Sequence, residues 1–193
     1  MYSAYAYTFI ISALIAVGLT AAVRKLALRW RILDHPGERK EQVEAVPLLG
    51  GVAIVAAFYL VVAGHALVLL PLERIGLDDF ERVLATALGQ GSTGKLTGIL
   101  AGGLVIFLLG LVDDWRALNP WAKLGGQVLA GLLLVLADVR IELFVFSSPW
   151  SSGLATILWV VLLTNAMNFL DNMDGLCGGV SIIAALSFFL CVV

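Results

Sequence analysis

The sequence predicts an all-α, multi-pass transmembrane helical bundle of five to six spans, a single integral-membrane domain over residues 1–193. Two observations predict it. Sixty-one per cent of the residues are hydrophobic and 13 per cent charged, with mean hydropathy +1.00, whereas a soluble domain has about half apolar and about a quarter charged. The apolar residues also gather into runs close to the roughly 20 residues that a helix needs to cross about 30 Å of hydrocarbon.

Taken in order, the runs fall near 4–23, 48–70, 96–112, 120–137 and 154–170, and a sixth begins near Gly178 and is still apolar at Val193. The first is too long for a signal-peptide core, has no basic residue before it and is followed by Arg24 and Lys25, so it is expected to stay as an anchor. The sixth, about 16 residues, is short for a span, and the chain is expected to be the first part of a longer protein. Asn119 and Pro120 read as an N-cap and the first helical residue of the fourth run. Gly50–Gly51 and Gly125–Gly126 are expected to permit close helix packing. Cys177 and Cys191 match no metal or redox spacing and read as packing residues.

Charge orients the bundle. The connections 24–46, 113–119 and 171–177, with Lys123 just inside the fourth run, hold eight of the twelve Lys and Arg: Arg24, Lys25, Arg29, Arg31, Arg39, Lys40, Arg116 and Lys123. Connections 71–95 and 138–153 hold the other four. Positive charge favours the cytoplasmic side, so the first set is expected there, with the N-terminus outside. A net charge of −2 gives no basic surface for nucleic acid, and function must sit in local clusters.

Three polar clusters fall in the expected cytoplasmic connections: DHPGERK (34–40), Asp113–Asp114 in GLVDDWR, and Asp171 with Asp174 in NFLDNMDGL. On a continuing helix Asp171 and Asp174 would be i,i+3 neighbours about 5–6 Å apart at Cβ. Two ionised carboxylates that close repel unless a cation joins them, and Mg²⁺ suits, since it takes one or two carboxylates and completes its shell with water and phosphate oxygens. Mn²⁺ is the substitute. The bland alternative is that carboxylates at span ends are solvated interface markers. Asp113 and Asp114 point about 100° apart, so only one of them faces any given site.

Lys123 and Gln127 lie one turn apart on one side of the fourth run, where they could hold phosphate and sugar oxygens; snorkelling to the interface is the other reading of Lys123. Asn165 and Asn168 precede Asp171 in steps of three, a slanting polar stripe that needs protein or a hydrated cleft beside it. Helix-to-helix hydrogen bonding explains such asparagines equally well. His65, among Ala63, Gly64 and Ala66, reads as an interhelical contact.

NAMNFLDNMDGL resembles the N-x-x-N-x-x-D-x-x-D-G-L signature of the polyprenyl-phosphate N-acetylhexosamine-1-phosphate transferases. GLVDDWRALNPWAKLGGQ resembles their aspartate-pair segment with its following Lys and Gln, and DHPGERKEQVEAVPLLGG their D-x-P-x-x-R-K segment leading to P-x-x-GG. The three occur in the family's order over residues 34 to 180. The resemblance implies attack of a polyprenyl phosphate on the β-phosphate of a UDP-linked N-acetylamino sugar, with UMP released. It assigns Asp113 as base toward the lipid phosphate and Asp114, Asp171 and Asp174 to the metal and nucleotide environment. Lys123, Arg39 and Lys40 become phosphate contacts, and Gln127, Asn165 and Asn168 substrate contacts. A phosphate monoester with second pKa about 6 is already largely dianionic at pH 7, so any base contributes mostly positioning.

DHPGERK followed by PLLGG looks more like the branch using UDP-N-acetylglucosamine than the one using UDP-MurNAc-pentapeptide. The sequence departs from the pattern at Gln42, where many relatives have histidine, and at Asn172, a frequent glycine. It has no counterpart of the family's later G-D-x-G-S aspartate or histidine-rich loop. The family has about ten or eleven spans of about 20 residues, so this chain reads as the N-terminal half and its site as completed beyond Val193. A second copy of the chain is a candidate partner, as a homodimer. A transporter is the rival class, but transporter carboxylates cluster near the bilayer midplane in broken helices, whereas these end spans. A noncatalytic membrane scaffold would explain the hydrophobicity but not three aligned motifs.

The topology is open to direct test. On intact cells Ser147→Cys is expected to react with a membrane-impermeant maleimide and Glu41→Cys to stay protected; equal external labelling of both would overturn it.

Overall fold

The structure, a computed structural model, describes residues 2–34, 46–69, 92–142, 148–171, 173 and 175–192. The described residues form six helices, α1 (Tyr2–Trp30), α2 (Gly50–Leu69), α3 (Ser92–Trp115), α4 (Pro120–Leu136), α5 (Pro149–Leu170) and α6 (Leu176–Val192), and two short strands, β1 (Leu33–Asp34) and β2 (Val46–Pro47). Three stretches are long and apolar enough to cross a membrane, Tyr5–Trp30, Thr93–Trp115 and Pro149–Leu170; three further apolar stretches, Gly50–Gly64, Pro120–Leu136 and Leu176–Cys191, are shorter. The all-α membrane class expected from composition is what the chain adopts. Trp30, Trp115, Trp121 and Trp150 are all exposed and stand at or beside helix ends, the level where an amphipathic indole is best solvated on both sides.

The chain divides into two units, Met1–Thr93 with Phe107–Leu118, and Gly94–Ile106 with Asn119–Val193. In the first, α1 packs on α2. Ala27, Ala53 and Ala57 are buried there, because in lipid small side chains let backbones approach and gain dispersion contact. α1 runs seven residues beyond the expected span, through Arg24–Trp30, since Arg, Lys, Leu and Ala are strong helix formers. It stops at Arg31, in the left-handed region at φ 55°. The Ile32 N–H donates to Ala27 O at 2.9 Å and the Arg31 N–H to Leu28 O at 3.3 Å, the paired closure of a Schellman end. β1 and β2 then pair antiparallel, Leu33 with Pro47 and Asp34 with Val46, clamping the two ends of the segment that carries the basic motif.

In the second unit α4 and α5 pack antiparallel along a seam of small residues. A Cβ at Gly131 would stand 3.0 Å from Ile157 Cα, and one at Gly153 would stand 3.3 Å from Val135 Cγ1. The N-terminal part of α3 joins them: a Cβ at Gly98 would collide with Ala137 Cβ, and one at Gly102 would meet Ala130 O at 3.3 Å. No large side chain is fully buried among the described residues, while Leu, Ile, Phe and Trp face outward along every helix. That arrangement suits a lipid solvent, which does not drive such side chains inward. α4 ends at Asp138 (φ 58°) in a second Schellman closure, with the Val139 N–H on Leu134 O at 2.9 Å and the Asp138 N–H on Val135 O at 3.1 Å. The returning chain is tied to α5 by two buried hydroxyls: Ser152 Oγ donates to Ile141 O at 2.6 Å, and Thr156 Oγ1 accepts from the Ile141 N–H at 2.9 Å. α5 opens on a capping box between Ser148 and Ser151.

One expectation is corrected. Gly50, Gly51 and Gly125 do not mediate helix contact, for a Cβ at any of them would meet nothing within 4 Å. Gly50 and Gly51 instead open α2, directly after Leu49 at φ 78°. The close approaches lie at Gly98, Gly102, Gly131 and Gly153, and the G-x-x-x-G of Gly98 and Gly102 was the sequence signal for the first two. The helix does not continue past Asp171: α5 ends at Leu170 with Asp171 as its C-cap, and Gly175, at φ 74°, precedes α6, while Asp174 lies outside the described residues.

Gly131→Val is expected to cost about 1–3 kcal/mol by overpacking the α4–α5 seam. Gly125→Ala should be neutral or stabilising by up to about 1 kcal/mol through helix propensity alone. Thermal unfolding in detergent distinguishes them, and equal losses would place the seam elsewhere.

Candidate functional site

In the first unit Asp113 and Asp114 occupy the last turn of α3 rather than the loop after it. Asp113 is half-buried and Asp114 exposed, the divergence expected of consecutive helical residues. Carboxylates in a C-terminal turn oppose the negative end of the helix dipole, so their placement breaks the local rule. One local compensation is visible: Asp113 Oδ1 accepts the Leu118 N–H at 2.9 Å, closing the turn after the helix.

In the second unit one end of the α4–α5 hairpin collects the remaining described candidates. Asn119 caps α4 as expected, its Oδ1 accepting from the Trp121 N–H at 3.0 Å, with Pro120 at the first helical position. Lys123 follows, half-buried, one turn before Gln127. Gln127 is 5% exposed, and its Oε1 accepts from Asn165 Nδ2 of α5 at 2.7 Å. The other Asn165 Nδ2 hydrogen goes to Val161 O at 2.8 Å. Asn168 is exposed one turn further on, and Asp171, also exposed, is the C-cap of α5, with its N–H on Met167 O at 3.0 Å. α6 begins beside it: Gly175 O accepts the Gly179 N–H at 2.8 Å. This end therefore presents the positive N-terminus of α4, the negative C-terminus of α5, a cation and a carboxylate together.

Arg39, Lys40 and Asp174 lie outside the described residues, as does the His65 side chain. Among the described residues no three His, Cys, Asp or Glu are grouped as a metal cage. The donor chemistry still fits Mg²⁺, which needs only one or two carboxylates when substrate phosphates and water complete its shell. At the other end of the hairpin a groove of about 480 Å³ runs between Leu132, Val135, Trp150 and Ile157. It is apolar apart from Arg140, which pairs with Asp138 at 3.4 Å, and it contains none of the candidate residues.

A family model described as glycosyl transferase family 4 matches residues 96–193. The chain is 30% identical over 182 residues to a probable undecaprenyl-phosphate N-acetylglucosaminyl 1-phosphate transferase of Bacillus subtilis, covering 91% of this chain and 44% of that protein. It is 34% identical over 192 residues to the decaprenyl-phosphate N-acetylglucosaminephosphotransferase of Mycolicibacterium smegmatis, covering 89% and 43%. Against the undecaprenyl-phosphate alpha-N-acetylglucosaminyl 1-phosphate transferase of Thermotoga maritima the identity is 29% over 174 residues, covering 90% and 48%. The chain thus spans less than half the length of these relatives. No solved structure matches the chain at a significant level.

The Asp113 contact separates structure from chemistry. Asp113→Asn keeps an acceptor for the Leu118 N–H and should melt within a degree or two of wild type, whereas Asp113→Ala should lose about 1 kcal/mol of stability. Equal melting of all three proteins would show that this hydrogen bond does not close the turn.

Proposed function

The chain belongs to glycosyl transferase family 4, and on that premise we propose that its protein transfers N-acetylglucosamine-1-phosphate from UDP-N-acetylglucosamine to a polyprenyl phosphate, releasing UMP. The observation that carries this reading is the end of the α4–α5 hairpin, where Lys123, Asn168 and Asp171 surround two helix termini of opposite polarity. An anionic diphosphate with a divalent cation suits such an end: the positive dipole of α4 and Lys123 face phosphate oxygens, and carboxylate and carbonyl oxygens face the metal, while the first-turn N–H groups of α4 are already taken by Asn119. The names of the relatives support the sugar and the lipid class.

In the reaction an oxygen of the lipid phosphate forms a bond to the β-phosphorus, and the bond from that phosphorus to the bridging oxygen breaks, so that UMP leaves with the electron pair. The nucleophile needs no deprotonation when it is already dianionic. Asp113 then serves mainly to position the lipid phosphate, and Asp114 belongs to the metal and nucleotide environment. Lys123 neutralises charge that builds on the phosphates, and Arg39 and Lys40 are further phosphate contacts. Asn168 holds the nucleotide sugar. Asp171 and Asp174 would hold Mg²⁺, or Mn²⁺ in its place, which when bound supplies charge neutralisation at the diphosphate. The motif-bearing ends face the cytoplasm, where a soluble nucleotide sugar meets a membrane-held acceptor.

The full-length protein in detergent or nanodiscs should release UMP from UDP-N-acetylglucosamine only when polyprenyl phosphate is present. Release without the lipid would indicate a hydrolase. Asp171→Asn and Asp174→Asn should each lower turnover by about 10²–10³, the usual cost of losing one electrostatic group at a reacting centre. Both should also weaken the dependence on Mg²⁺. Undiminished wild-type turnover in excess chelator would sink the metal assignment.

A further inference from the structure

The two amides that meet at the α4–α5 seam have a different role from the charged groups beyond them. Asn165 is exposed, yet both its Nδ2 hydrogens go to protein acceptors, one to Gln127 Oε1 at 2.7 Å and one to Val161 O at 2.8 Å. Gln127 is 5% exposed and its acceptor is committed to the same bond. Between this pair and the Ser152 and Thr156 bonds to Ile141 at the far end, the seam is apolar: Val135 against Gly153 and Gly131 against Ile157. Contacts of this kind are non-directional, and in lipid no hydrophobic force penalises one helix for sliding along the other. A hydrogen bond between two side chains in a low-dielectric seam does penalise it, because a slip leaves polar groups without partners.

The antiparallel pairing reads 135 with 153, 131 with 157 and 127 with 165. Side chains on a helix lean toward its own N-terminus. In an antiparallel pair Gln127 and Asn165 therefore lean past each other and meet at an intermediate height. One turn nearer the open end, about 6 Å along the axis, α4 carries Lys123, and the facing turn of α5 carries Asn168 and ends at Asp171.

We infer that the Gln127–Asn165 amide pair is a register latch, which sets the height of α4 on α5 and so holds Lys123 level with the last turn of α5 and Asp171. Both are positioning residues and not substrate contacts. The kinetic part of the inference rests on the transferase reading; the structural part does not.

The test is a double-mutant cycle in the full-length protein in nanodiscs: wild type, Gln127→Leu, Asn165→Leu, the double Leu variant, and the exchange Gln127→Asn with Asn165→Gln. Each single Leu variant should lower kcat by about 10- to 100-fold, as small misplacements of reacting groups do. KM for the UDP-sugar should stay within about twofold, since no ground-state contact is lost. The double Leu variant should be no worse than the poorer single, because the bond is already gone and two apolar side chains pack without an orphaned amide. The exchange restores the combined reach and should recover most of kcat. A raised KM with kcat intact, additive losses, or no recovery in the exchange would overturn the latch in favour of direct substrate contact. Melting temperatures of the same five proteins decide the case in which the wild type releases no UMP. Coupled shifts would then uphold the latch while the transferase reading fails, and additive shifts would reject the latch by itself.

Discussion

Two helices in a membrane hold each other only where their side chains let the backbones come close, and along α4 and α5 that happens at Gly131 and Gly153. Much of the second unit depends on this seam. It brings α5 near enough for Ser152 and Thr156 to bind the peptide groups of Ile141, which fixes the returning connection. It gives Gly102 a carbonyl of α4 to pack against. It also determines that the N-terminus of α4 and the C-terminus of α5 emerge at the same end, so that opposite helix dipoles stand side by side.

Polar groups in such a bundle follow a strict division. Those along the seam are consumed by the protein: Thr156 Oγ1 on Ser152 O at 2.8 Å, Ser152 on Ile141 O, and Asn165 on Gln127 and Val161. An amide or hydroxyl left without a partner there would carry the full cost of desolvation. Charges are found at helix ends instead, Asp113 and Asp114 on α3, Lys123 on α4 and Asp171 on α5. Such ends lie where water and lipid headgroups meet, so a charge placed there keeps its solvation.

The sequence alone determined the class and the order of the described helices, and it singled out the candidate site residues. Apolar run lengths placed the six described helices, because in lipid a segment must satisfy its own backbone hydrogen bonds and has no choice but helix. Asn119–Pro120 announced the start of α4 through a local cap. The aspartates, Lys123 and the asparagine stripe stood out because polar residues at those positions are costly and need a reason. Only the tertiary structure decided which glycines approach a neighbour, that α5 breaks at Asp171 with Gly175 turning the chain, and that Gln127 and Asn165 face each other. Each of these depends on a partner 18 to 39 residues away or on a left-handed backbone angle, and neither is encoded in the spacing of side chains along one helix. Periodicity reports which residues share a face of their own helix, whereas the height and rotation at which two faces meet are set by the packing itself.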